Sequence, residues 1–189
     1  MTNTINYTTQ NQLLLNNLMN FYKNDDNLSR MLKIITGESI ISLRIVDWFV
    51  TNYSKKNYTL YDTTNQNDDN IRFKVYFDYK LKLKAYSKKR FDPFCRWERI
   101  SIPYTNGTCI ETTIGQLNFF KWALENKVIE YIEKNYDTIE KDMNSRNSTS
   151  KRKETLTDNS KTRKKREELS ISATKSIKKE DVEIVVKFH

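Results

Sequence analysis

The sequence predicts an α+β fold: a small, mainly antiparallel sheet packed against two longer helices, then a disordered basic linker and a C-terminal strand. Three observations predict it. Residues 71–86 alternate, with Ile71, Phe73, Val75, Phe77, Tyr79, Leu81, Leu83 and Ala85 all on odd positions. Successive side chains of a strand point to opposite faces, so this pattern reads as a two-faced strand. Residues 113–141 carry Leu117, Phe120, Leu124, Val128, Tyr131 and Ile132 at helical spacing. Residues 144–180 are polar and charged without apolar periodicity, and the DVEIVVKFH that ends the chain alternates again at Val182, Ile184, Val186 and Phe188. The chain therefore divides into a disordered N-terminus (1–9), an α+β domain (10–143), a basic disordered linker (144–180) and a terminal strand (181–189). That strand docks on the domain or on a partner.

The elements follow in order. Leu14, Leu18, Phe21 and Tyr22 predict a helix over 10–23. Asn27 or Ser29 caps a second helix through Met31, Leu32, Ile34 and Ile35, and Gly37 ends it. Ile41, Ile45, Trp48 and Phe49 share a helical face, so 40–56 reads as a buried helix; strand competes because Ile and Val are frequent there. YTLYD, residues 58–62, reads as a strand, and 63–70 as a polar loop. The alternating segment is too long for an ordinary strand, since about five or six residues is typical. Either it is a long strand bent near Asp78, or the strand ends near Tyr79 and the chain turns helical; the second is the expectation, with 71–79 as the strand. FDPFCRWER forms an aromatic turn, residues 97–103 a strand, TNGT a turn and 109–112 a return strand. Thr113 caps the long helix through 141. Trp48, Trp97, Trp122, Phe119 and Phe120 are expected in the core.

Composition narrows the function classes. The chain has 33 Lys and Arg against 24 Asp and Glu, a net charge of +9, with only 3 Gly and 2 Pro. So few glycines argue against phosphate-cradling loops. The single histidine is the terminal His189, which leaves no histidine base and no four-ligand zinc site for Cys95 and Cys109. Free thiols, an intracellular setting and no membrane span are expected. Glu125 and Lys127 form an E-x-K on the long helix, where Glu125 reads as solvent-facing. No enzyme activity, cofactor or metal is expected, although a carboxylate-based hydrolase is a third possibility.

The charge is concentrated. Residues 72–99 hold ten Lys and Arg and three Asp and Glu, while the rest of 1–143 is slightly acidic. Aromatic residues interleave the cations. Cations meet phosphates and rings stack on bases, so the segment suits nucleic acid. The competing reading is a solvated face whose rings lie in the core. The candidate phosphate contacts are Lys80, Lys82, Lys84, Lys88, Lys89, Arg90, Arg96 and Arg99, with Tyr86 as a stacking ring. A second cluster, Lys161, Arg163, Lys164, Lys165 and Arg166, reads as a nuclear import signal, a nucleic-acid clamp or a solubilising linker.

Three stretches carry a resemblance: SIISLRIVDWFVTNYSKKN, then YKLKLKAYSKKRFDPFCRWERI with TIGQLNFFKWALENKVIEYI, and SATKSIKKEDVEIVVKF. Together they resemble an uncharacterised protein family of large nucleocytoplasmic DNA viruses of the mimivirus type. The resemblance transfers no functional residues. It implies a viral setting: the virus factory in the host cytoplasm, the virion or the host nucleus. The expected function is nucleic-acid binding, DNA or RNA, in genome packaging or viral gene expression. The alternative is a virion assembly protein that forms a homo-oligomer or captures a viral partner through residues 181–189.

Overall fold

The computed structural model describes residues 10–64, 70–104, 108–154 and 179–181. Helix α1 (Gln10–Tyr22) is followed by α2 (Asp25–Thr36). The cap of α2 is Asn24, whose Oδ1 accepts from the Asp26 N–H at 3.1 Å, and not Asn27 or Ser29. Gly37 ends α2 in the left-handed region at φ 82°, a conformation open to a residue without Cβ. Ser42 caps α3 (Leu43–Trp48), which runs on through a π-helical turn (Phe49–Tyr53) into α4 (Ser54–Lys56). Helix therefore prevails over strand in this segment, as the face of Ile45, Val46, Phe49 and Val50 requires; all four are buried.

The alternating segment departs most from expectation. Strand β1 (Leu60–Thr64) pairs antiparallel with β2 (Asn70–Lys74), and α5 (Val75–Arg90) begins at once. The expected strand 71–79 is thus half strand and half helix. The reason is geometric. At about 100° per residue, odd positions four apart form two separate stripes on a helix. Val75, Tyr79 and Leu83 make one, and Tyr86 falls beside it; Val75 and Tyr79 are buried, and Leu83 and Tyr86 are partly buried against the core. Phe77, Leu81 and Ala85 make the other, roughly opposite, and all three are exposed. Alternation over this stretch therefore serves a helix as well as a strand. The helical run breaks at Ser87, whose φ of 63° and ψ of 166° lie outside helical space.

Strand β3 (Arg99–Pro103) pairs antiparallel with β4 (Thr108–Thr113), and β4 pairs with β5 (Lys179–Asp181). The class is α+β as expected, but the strands form two small antiparallel sheets, β1-β2 and β3-β4-β5, in place of one. The alternating positions Val182 to Phe188 lie outside the described residues. Thr113 caps α6 (Ile114–Glu125) by accepting from the Gln116 N–H. The expected long helix is then interrupted twice. Lys127 adopts φ 54° before α7 (Val128–Lys134), and Asn135 separates α7 from α8 (Tyr136–Glu154). Helix α8 extends well into the stretch expected to be disordered linker. It covers residues 144–154.

An aromatic cluster holds the domain together. Tyr79, Phe91, Phe119 and Trp122 meet with ring centroids between 5.6 and 6.3 Å. The Trp122 indole N–H donates to Asp78 at 2.6 Å, which fixes α5 on α6. Tyr22 donates to the Leu117 carbonyl at 2.7 Å in the buried interior. Trp97 departs from the expected core placement, being 74% exposed, while Trp122 is 3% exposed. Trp48 is partly buried, and its indole N–H donates to Asp142 at 3.1 Å.

Candidate functional site

The hairpin β1-β2 is anchored on its inner face. Tyr61 stacks on Tyr131 at 4.9 Å, and its hydroxyl donates to the Asn126 carbonyl at 2.7 Å. Phe73, opposite Tyr61 in the ladder, packs beside it at 5.5 Å. This leaves the alternate positions, Leu60 and Lys74, on the other face. The Val75 N–H donates to the Thr59 carbonyl at 3.3 Å, tying the start of α5 to the end of α4. Between these elements lies a groove of about 480 Å³ lined by Ser54, Lys55, Tyr58, Thr59, Leu60, Lys74, Tyr76 and Phe77. Phe77 also borders a second hollow of about 490 Å³, lined further by Lys80, Leu81, Leu83 and Lys84.

The two hollows make one surface of mixed character. Among the described residues neither has a carboxylate in its lining, and together they present Lys55, Lys74, Lys80 and Lys84. Among the described residues none of these four lysines forms an ion pair. The Lys55 ammonium lies 5.7 Å from the Tyr76 ring centroid. Among the described residues of the hairpin, the acid on the same face, Asp62, faces Arg72 at 3.7 Å. Large apolar side chains are exposed beside the lysines: Tyr58, Leu60, Phe77 and Leu81. Single exposed apolar residues are ordinary; several bordering one concave basic surface are not.

The residues expected from sequence are distributed unevenly over this surface. Lys80 and Lys84 line it. Lys82 is half-buried on the other side of α5, and the break at Ser87 separates Lys88 and Lys89 from the helical run. Lys89 faces Glu98 at 3.9 Å, Arg90 reaches Gln10 at 3.5 Å, and Arg99 pairs with Glu111 at 3.4 Å. Arg96 is exposed next to the exposed Trp97. Tyr86, expected as a stacking ring, is only partly exposed. It lies against the core with its ring stacked on Phe91 at 6.1 Å and 21°. Lys161, Arg163, Lys164, Lys165 and Arg166 lie outside the described residues. The sequence reading missed Lys55, Tyr58, Leu60 and Leu81 as site residues, and placed Phe77 on a core face. Starting the expected helix at Val75 in place of Tyr79 would have exposed the Phe77–Leu81 stripe.

A second cluster is acidic. Asp47 on α3 is pushed up to about 6 by burial and then by the neighbouring charge of Asp92. Asp92 is raised by burial, against the Phe94 N–H, which donates to it at 2.8 Å. Burial, then the charges of Asp47 and Asp92, push the Tyr79 hydroxyl up to about 12. Among the described residues no group of three His, Cys, Asp or Glu side chains could hold a metal ion. Both cysteines are free thiols, with Cys95 buried. Glu125 is solvent-facing and pairs with Lys121. Among the described residues no helix is long and apolar enough to cross a membrane.

Fold and site together define an α+β protein with a basic, ring-lined groove where a hairpin meets a helix. The chain belongs to a family of unknown function (DUF7197), which matches residues 2–188. It is similar to the "Uncharacterized protein L507" of Acanthamoeba polyphaga mimivirus, at 50% identity over 129 residues, or 66% of this chain and 49% of the relative. The chain thus spans about half the length of the curated relative it matches. The resemblance to an uncharacterised giant-virus family is thereby established. No solved structure matches.

Proposed function

We propose that this is a non-enzymatic viral nucleic-acid-binding protein, used in genome packaging or viral gene expression, whose contact surface is the groove between β1-β2 and α5. The supporting observation is the lining itself: among the described residues, four lysines, no carboxylate and exposed rings on one concave surface. Phosphates are drawn to such a surface by release of their counterions. The mimivirus origin of the relative supports a setting in the virus factory, the virion or the host nucleus. The cations of 161–166 add to the attraction in the full chain.

The salt dependence of binding tests this. Four lysine–phosphate contacts on a single strand contribute roughly −3 to the slope of log K against log salt, at about −0.7 each. Replacing Lys80 and Lys84 together with Ala reduces the magnitude of the slope by about 1.4. If the full chain shifts neither single- nor double-stranded DNA or RNA at low salt, the proposal fails.

A second reading is self-association through the C-terminal strand. It draws on the β4–β5 ladder, which three residues of one chain would close equally well on another copy. A chain truncated before Lys179 that sediments as the intact chain does, at matched concentration, would contradict it.

A further inference from the structure

We infer that the groove takes single-stranded rather than duplex nucleic acid, with the Tyr58 ring as a platform on which an unpaired base stacks. This rests on the nucleic-acid reading above and names the form of nucleic acid.

The backbone at Tyr58 carries the inference. Helix α4 ends in a hydrogen-bonded reversal in which the Thr59 N–H donates to the Ser54 carbonyl at 3.1 Å. In that motif the residue before the donor adopts the left-handed conformation, and glycine usually occupies it. Here the residue is Tyr58, at φ 46°. A bulky side chain at positive φ is an outlier with a conformational cost, and such outliers cluster at binding sites. The same chain places Gly37 at the left-handed end of α2, and of its non-glycine residues at positive φ, namely Tyr58, Ser87, Glu98 and Lys127, Tyr58 alone among the described residues carries a ring.

The ring does not repay that cost inside the fold. It is 75% exposed, and among the described residues it has no aromatic partner. It lines the same groove as Tyr76, Phe77, Lys55 and Lys74. Phe77 is itself 57% exposed and meets Tyr76 edge-on at 6.1 Å. Exposed rings in one groove with ammonium groups that form no ion pair among the described residues match a strand whose bases are free and whose phosphates run alongside. Duplex bases stack on one another and offer no free face, so a duplex engages the lysines alone.

The test uses the full chain and three labelled probes at low salt: oligothymidylate, oligouridylate and a DNA duplex of the same length. The wild type is expected to bind a single strand more tightly than the duplex. Tyr58→Gly is expected to weaken single-strand binding about ten- to hundredfold, the range of one lost base stack. Duplex binding should be unchanged, and the Tm should lie at or above that of the wild type, because glycine relieves the positive φ. Tyr58→Phe keeps the ring face and should bind as the wild type does. The deoxy and ribo probes separate DNA from RNA as the strand taken. A wild type that binds none of the probes sinks the underlying reading. A wild type that binds strand and duplex alike, a Tyr58→Gly chain that binds as before, or one that loses both binding and Tm overturns this inference alone.

Discussion

Replacing Asp47 with Asn should stabilise the protein at neutral pH and leave it unchanged in acid. Asp47 is held at about 6, against an ordinary 3.8, by burial first and the Asp92 charge second. Below about pH 4 the carboxyl is neutral in both folded and unfolded chains, and no penalty exists. Between about 4 and 6 the folded chain keeps a proton that the unfolded chain releases, so stability falls as pH rises. Above about 6 the group is charged in both states and the full penalty stands. At about 1.4 kcal/mol per pH unit the interval is worth about 3 kcal/mol. Asp47 retains some solvent contact, which lowers the expected gain to about 2 kcal/mol. Asn has nearly the same shape and carries no charge to desolvate or repel. The assay is urea unfolding of wild type and Asp47→Asn across about pH 4 to 8, read as the difference between the two chains. Taking the difference cancels the other carboxylates. It should be near zero at about pH 4 and rise to about 2 kcal/mol in favour of the variant near pH 7.5, or roughly 4–8 °C in Tm. A difference that is flat with pH, or that favours the wild type at neutral pH, refutes the reasoning.

Two further substitutions probe the packing around α6. Gly115, at the start of α6, admits no side chain: a Cβ there would lie 2.8 Å from the Cys95 Cβ and 3.0 Å from the Lys89 carbonyl. Gly115→Ala gains roughly 0.5–1 kcal/mol of helix propensity and loses roughly 1–3 to the overlap, so its urea midpoint should fall by the equivalent of about 1–2 kcal/mol. An unchanged midpoint would show that the 91–95 loop yields freely. Tyr22→Phe removes the buried donor to the Leu117 carbonyl and should cost about 0.5–1.5 kcal/mol in the same measurement. A variant as stable as the wild type would mean that the bond contributes nothing net.

Local signals in the sequence were reliable where they coincided with packing. Thr113 before an apolar stripe marked the start of α6, and Gly37 marked the end of α2. The 43–56 helix was legible from Ile45, Trp48 and Phe49 at helical spacing. The helix after Tyr79 was expected, but residues 75–79 were misread as strand, because period-two alternation places odd positions on two helical stripes as readily as on one strand face. Which element forms is settled by tertiary packing: Val75 is buried in the core, and Tyr79 meets Phe91, Phe119 and Trp122, a cluster built from distant segments. The breaks at Lys127 and Asn135 carry no Gly or Pro, so nothing local announced them. The site was legible only as a concentration of charge. Lys80 and Lys84 belonged to it, but Lys55 and Tyr58 come from another element and reach the groove through the Thr59–Val75 bond. Charge density along a chain does not say which cations share a surface.

Ultraviolet cross-linking of the full chain to a single-stranded oligonucleotide, read by peptide mass, tests most directly whether nucleic acid rests in the groove. Adducts are expected on Tyr58, Tyr76 or Phe77, the rings that line the groove. Adducts confined to Trp97 and the 161–166 segment, with none on those three rings, would contradict that placement.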